Sequence, residues 1–229
     1  HNRFAWHFHN IRTVPRVRLV SLGENCWPWV KLAEWGLRPD AAHASEQMPL
    51  NCGIQSTSGC IRLLEENFSD MAHPQHLRML PDATGVPLPY NKKYRFIFNH
   101  EAGATWSNDN FSKLHTRYEQ RRQNFIDFAL EGPRVYIYYL HRTTEIGNIE
   151  SILHNIAKDD NYRVVVVDVR LNIEEWTPKS DKTIYLKLDL PWPGFHWVDR
   201  GSCDQERGVV FEKKIIQAVY SAILAVSNH

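Results

Sequence analysis

The chain alternates between short apolar runs and longer stretches of helical periodicity. The first strand signal is Val17-Arg18-Leu19-Val20-Ser21-Leu22; it ends at Gly23, and Glu24-Asn25 follow as a turn. From Cys26 to Gly36 the pattern is helical. Trp27, Val30 and Ala33 lie near one face, and Leu32 and Trp35 widen it. Pro28 suits a first helical turn, where its missing N–H costs nothing, and Gly36 suits a C-cap. This places Cys26 at or next to the N-cap. A second helix is expected at Ser58–Asn67. A strand follows at Tyr94–Phe98, closing on Asn99-His100-Glu101, and then a long helix from Ser112 to Leu130, stopped by Gly132-Pro133. Val135–Leu140 and Val164–Val169 are near-continuous apolar runs, the mark of central strands covered on both faces. Between them Glu145–Lys158 has helical spacing. Thr183–Leu188 reads as a strand, and Gly208–Val226 as a closing amphipathic helix.

Alternation of this kind predicts an α/β fold, a three-layer arrangement with a mostly parallel sheet and helices on both faces. No repeat or low-complexity linker divides the chain, so residues 1–229 read as a single domain. Residues 1–16 read as an N-terminal extension or linker. Pro39–Gly59 is loop-like. Residues 72–92, with four prolines between Pro74 and Tyr90, read as a long loop or insertion.

Composition narrows the function classes. Of 229 residues, 43% are hydrophobic and 23% charged, an ordinary globular balance. The net charge of +1, without a basic stripe, argues against a nucleic-acid partner. No apolar run nears the roughly 20 residues of a membrane span. The aromatic, basic start from His1 to Arg18 lacks the apolar core of a signal peptide. The chain begins on His1 rather than Met, as a processed protein or a piece of a longer one would. Four cysteines (Cys26, Cys52, Cys60, Cys203) without CxxC spacing suit neither a zinc site nor a disulfide scaffold, so a cytoplasmic setting is expected, with one Cys52–Cys60 bridge left open. Of the twelve histidines only His7 and His9 are close, so neither a metal nor another cofactor is expected.

The candidate chemistry lies at the first turn. Ligands of open α/β sheets bind outside the carboxyl ends of the strands, and the turn from Ser21 to Trp27 occupies that position. A cysteine at a helix N-terminus feels unpaired N–H groups and the positive end of the dipole, both of which favour thiolate. The bland alternative is a small buried core residue.

Ser21-Leu22-Gly23-Glu24-Asn25-Cys26, then Leu32 and Gly36-Leu37-Arg38, resembles the opening motif of a family of mostly bacterial proteins grouped as papain-like cysteine peptidases. Pro49-Leu50-Asn51-Cys52 stands where that family has Pro-Phe-Asp-Trp and keeps only the proline. Phe98-Asn99-His100-Glu101 matches its strand ending in a His-acidic pair, and Tyr118, Arg121, Arg122 and Phe125 look like its basic helix. The resemblance covers about residues 17 to 140. It implies Cys26 as nucleophile and His100 as its base. The element order is closer to the SGNH hydrolases, whose nucleophile follows the first strand of a Rossmann-like sheet. It is also similar to bacterial polysaccharide-modifying proteins with Gly-Asn-Cys at that turn, of which Gly23-Glu24-Asn25-Cys26 is a stretched version. His196-Trp197-Val198-Asp199 reverses the Asp-x-x-His order of SGNH enzymes.

The expected function is therefore a cysteine-dependent hydrolase or acyl transferase acting on a small-molecule, saccharide or peptide substrate. Cys26 attacks, His100 moves the proton, Glu101 orients the histidine, and N–H groups near Asn25–Trp27 hold the oxyanion, with Asn25 adding an amide donor. Gly23, Glu24, Trp27, Arg38, Asn51, His196 and Asp199 are expected around the substrate. Arg121 and Arg122 read as a solvated helix face paired with Glu119, with anion binding as the alternative. The competing expectations are a non-catalytic saccharide- or nucleotide-binding module and a domain of a surface-polysaccharide enzyme.

Overall fold

A computed structural model describes residues 17–38, 47–141, 148–171 and 176–227. The N-terminal extension with His7 and His9, part of the Pro39–Gly59 loop, and the start of the Glu145–Lys158 helix lie outside the described residues.

The fold is α/β. Strands β1 (Arg18–Gly23), β5 (Arg134–Leu140), β6 (Tyr162–Asp168) and β7 (Thr183–Lys187) form a four-stranded sheet in the order β1-β5-β6-β7, every neighbouring pair parallel. The period-2 alternation of each strand splits its side chains between two cores. Val20, Leu22, Tyr136, Tyr138, Val164 and Val166 face one side. There they meet α2 (Thr57–Glu65), α3 (Asn108–Phe128) and α4 (Ile149–Ile156). Val135, Ile137, Tyr139, Val165 and Val167 face the other, where α1 (Trp27–Glu34) and α6 (Glu206–Ser227) lie. The three predicted layers are thus present. A short helix, α5 (Arg200–Cys203), precedes α6.

Residues 72–92 are not an irregular loop. They hold the hairpin of β2 (Leu77–Pro81) and β3 (Pro87–Asn91), extended by β4 (Phe96–Ile97) into a small antiparallel sheet. Prolines mask this pattern in the sequence because they read as breakers. Proline lacks a donor but keeps its acceptor. The Pro89 carbonyl accepts from Phe98 N–H at 3.0 Å and the Pro87 carbonyl from Gly103 N–H at 2.8 Å. Asp82 closes the hairpin, its carboxylate accepting from Thr84 and Val86 N–H groups. The strand expected at Tyr94–Phe98 is only two residues long, and Ile97 also bridges Ile54. In the long helix, Asp109, Asn110 and Phe111 are left-handed, so regular turns begin at Ser112, where the sequence places the start.

Two contacts between elements position the first turn. Lys31 on α1 is buried and paired with Glu34 at 2.7 Å and with Glu212 of α6 at 2.9 Å, while Trp35 Nε1 donates to Glu212 at 3.1 Å. The chain leaves β1 toward the α6 face and leaves β5 toward the α4 face. Strand exits that diverge in this way open the ligand-binding end of an α/β sheet, here between β1 and β5.

Candidate active site

Gly23 ends β1 with φ +113°, and a Cβ there would lie 2.4 Å from the Tyr139 carbonyl oxygen of β5. Only glycine fits both the backbone conformation and the close approach. Its own carbonyl accepts from the Gln55 side-chain amide. Glu24 then turns inward and is buried. Its backbone N–H donates to Tyr139 O, its carbonyl accepts from Gln55 N–H at 3.0 Å, and its carboxylate accepts from Thr57 Oγ1 at 3.0 Å and His141 N–H at 2.9 Å. Glu24 was expected at the substrate; it instead ties β1 to the start of α2 and the end of β5.

Asn25 Oδ1 accepts from Trp27 N–H at 2.9 Å. That bond consumes one expected oxyanion donor, and Pro28 supplies none. It also turns the Asn25 amide nitrogen away from the helix, and this NH2 has no protein partner among the described residues. Cys26 is the N-cap of α1, makes no capping bond with its side chain, and is 7% exposed. Burial pushes its thiol above the ordinary range, against a smaller lowering by its own backbone N–H. This corrects the expectation of a thiolate. A helix of eight residues whose first N–H is engaged offers less than desolvation removes.

Around Cys52, on whose thiol the Cys26 charge acts, the structure gathers residues from three distant segments. Cys52 follows the turn Pro49–Asn51, whose Asn51 is buried. Burial raises the Cys52 thiol to about 11; the charges of Arg121, Cys26, Glu101 and Arg38 act on it in turn. Tyr118 on α3 reaches both the Cys52 carbonyl, at 3.2 Å, and Glu101, at 3.3 Å. Glu101 is fully buried and faces Arg117 at 3.2 Å and Arg121 at 3.5 Å. Its partners are thus two arginines and a tyrosine rather than a histidine. Of the two helix arginines, Arg122 is the one paired with Glu119, at 2.6 Å; Arg121 is 6% exposed. Arg38 lies over the Trp29 ring at 3.6 Å and donates from Nε to the Trp29 carbonyl.

No family model, curated protein or solved structure matches the chain.

The histidines are distributed unequally around it. His100 is solvent-exposed and makes no hydrogen bond or ion pair among the described residues. His196 is also exposed and stacks parallel to Trp197, and Asp199 accepts from Gly201 N–H and Ser202 Oγ at the start of α5. That segment belongs to the α6 face, where Phe195 packs on Phe211. His141 was not singled out from the sequence. It follows β5 directly, and the register pairing Gly23 with Tyr139 carries it alongside the first turn. Its ring centroid is 6.1 Å from that of Tyr139, which stacks at 4.5 Å on Trp27. Trp27 is therefore a core residue rather than a substrate platform. The available sequence signal for His141 was its place as the first polar residue after a central strand.

All four cysteines are free thiols, so there is no Cys52–Cys60 bridge. Among the described residues no group of three or more His, Cys, Asp or Glu side chains is arranged to hold a metal, and no helix is long and apolar enough to cross a membrane. A cavity of about 490 Å³ lies at the opposite, amino end of the sheet, lined by Glu150, His154, Tyr162, Trp176 and Lys182 among others. None of the candidate site residues named from the sequence lines it.

Proposed function

We propose that the protein is an enzyme using Cys26 as a nucleophile in acyl transfer, either to water or to a second acceptor. The observation that carries this reading is the placement of an uncapped N-cap thiol where the exits of β1 and β5 diverge, next to the Asn25 amide in a turn to which the His141 backbone is tied through Glu24. The likeness of Ser21–Cys26 to the opening motif of the papain-like cysteine peptidases supports the same role. Because burial disfavours the thiolate, attack calls for a base at the moment of reaction, as with a serine nucleophile.

We assign that base to His141, which the register brings to the first turn, in preference to the exposed His100. The Cys26 proton passes to the imidazole as the sulfur bonds to the carbonyl carbon. The oxyanion that forms accepts from Asn25 Nδ2. The intermediate collapses with cleavage of the bond to the leaving group, which departs with the proton from the imidazolium. Water or an acceptor nucleophile then gives up a proton to the imidazole and attacks the thioester, and the thiolate is reprotonated as it leaves.

Screening ester, thioester and amide substrates against the wild type and variants tests this. Cys26→Ala should lose at least about three orders of magnitude in kcat/KM. His141→Ala should lose about a hundredfold or more, while His100→Ala stays near wild type. Full turnover by Cys26→Ala would overturn the nucleophile; loss on His100→Ala alone would return the base to His100.

A further inference from the structure

Among the described residues Arg121 is a buried cation without full compensation. Its Nη2 donates to Gln47 Oε1 at 3.2 Å, its Nη1 faces Glu101 only at 3.5 Å, and both Nε and Nη1 lack a hydrogen-bond partner among the described residues. Glu101 cannot neutralise it alone, because the same carboxylate receives Arg117 at 3.2 Å and the Tyr118 hydroxyl at 3.3 Å. Among the described residues two guanidinium groups thus share one carboxylate, and one positive charge is in excess. Buried charge is ordinarily paired and hydrogen-bonded, and an unpaired buried ion is costly to keep. The charge of Arg38, whose guanidinium lies over the Trp29 ring at 3.6 Å, also acts on Cys52.

These groups do not form a scattered surface patch. Tyr118 ties the Cys52 carbonyl to Glu101, and Arg121 lies over the Tyr118 ring at 4.7 Å. Gln55, three residues after Cys52, donates its N–H to the Glu24 carbonyl of the first turn at 3.0 Å. The charges of Arg121, Cys26, Glu101 and Arg38 act on the Cys52 thiol between them. The guanidinium fork matches planar and tetrahedral oxyanions, and an anion bound there would satisfy the unused Arg121 donors.

We propose that the substrate of the Cys26 site is acidic, and that Arg121, seconded by Arg38, holds its carboxylate- or phosphate-type oxyanion beside the reacting carbonyl. This deepens the nucleophile reading and rests on it for the identity of the reacting atom. Arg121 binds rather than reacts, and its contribution falls on substrates that carry the anion. The excess charge predicts a preference that a neutral pocket would not show, for a negatively charged reagent over a neutral one of the same size.

The test is the alkylation of Cys26 by iodoacetate and by iodoacetamide, followed on the Cys26 peptide by mass spectrometry. Free cysteine supplies the reference ratio of the two rates. The wild type should exceed that ratio by about tenfold, the order expected of hydrogen bonds to a charged group. Arg121→Met should return it to the reference while leaving the iodoacetamide rate within about twofold, since Glu101 keeps Arg117 and Tyr118 as partners. Arg38→Met should lower it by about threefold, and this variant carries the test if Arg121→Met fails to fold. Inorganic phosphate should protect against iodoacetate more than chloride at equal ionic strength does, which separates a tetrahedral anion site from a purely carboxylate one. A wild-type ratio equal to that of free cysteine, or one unchanged in both variants, overturns the acidic substrate and leaves the nucleophile standing. A Cys26 that reacts with neither reagent overturns the nucleophile instead. Thermal stabilisation by phosphate, present in the wild type and absent in Arg121→Met, then decides the anion site separately; its absence overturns that site.

Discussion

At the scale of single residues the first turn shows how burial competes with local electrostatics. A thiol at a helix N-terminus gains from unpaired N–H groups, but Cys26 is desolvated, and the N–H next to it is already bonded to Asn25. The thiol is therefore raised rather than lowered. A thiol with a raised value needs higher pH to reach the reactive thiolate. The pH midpoint for iodoacetamide labelling of Cys26 should lie above the roughly 8.5 of free cysteine. A midpoint at or below that value would show that an unrecognised cation or donor reaches the sulfur. Gly23 is the opposite case, a residue whose role was legible from the sequence. A strand that ends in glycine before a helix suggests a tight turn, and the approach of the Tyr139 carbonyl supplies the reason that no side chain fits.

At the scale of elements, the site is assembled by pins between segments that lie far apart in sequence. Glu24 accepts from Thr57 at the start of α2 and from His141 after β5, so one carboxylate holds three segments in register. Glu24→Gln keeps the size but removes the charge and leaves one acceptor oxygen where two were used. It should cost about 2 kcal/mol in unfolding free energy measured by urea titration, the order of one unsatisfied buried group. Because the pin carries His141, the proposed acyl-transfer activity should fall in the same variant at temperatures where it remains folded. An unchanged midpoint would show that the sheet alone sets this register. Helix α3 teaches a related lesson. Arg121 and Arg122 are adjacent in sequence and about 100° apart on the helix, so one pairs with Glu119 in solvent and the other enters the site. The Ser112 start was legible from periodicity; which arginine faces inward depended on where the helix lies against Pro49–Asn51 and Glu101.

At the scale of the whole molecule, the parallel sheet closes its carboxyl edge with a buried ionic cluster. Asp168 at the end of β6 accepts from Arg170 through both oxygens, at 2.8 Å each, and from the Tyr185 hydroxyl at 2.8 Å. Burial alone would raise its carboxyl, but the Arg170 bonds, with the Arg170 N–H and Tyr185, outweigh it and hold the group below the usual carboxylate range. A depressed carboxyl contributes stability that is present above its unfolded value, about 3.9, and is lost as pH falls through its folded value. Thermal unfolding followed by circular dichroism should therefore show Tm declining below about pH 4. Asp168→Asn should lower Tm at neutral pH, by about 3 kcal/mol of stability, and flatten that decline. An acid profile unchanged in the variant would place the acid-sensitive groups elsewhere, with Asp159 as the next candidate.

What the sequence by itself determined is local. The apolar runs at Val135–Leu140 and Val164–Val169 require strands covered on both faces, the spacing after Cys26 requires a helix, and their alternation requires an α/β sheet. Those features are legible because periodicity and turn chemistry act between neighbours along the chain. The hairpin at Leu77–Asn91 escaped that reading because its prolines keep only the acceptor half of the pattern, and the acceptors are used by Phe98 and Gly103 outside the hairpin. The composition of the site was decided by tertiary structure alone. Strand register brought His141 to the first turn and left His100 on the surface; helix placement turned Arg121 inward and gave Glu101 arginine partners. Burial then set the charge of Cys26. Each of these is a contact or a loss of solvent between residues tens of positions apart, and no local pattern encodes it.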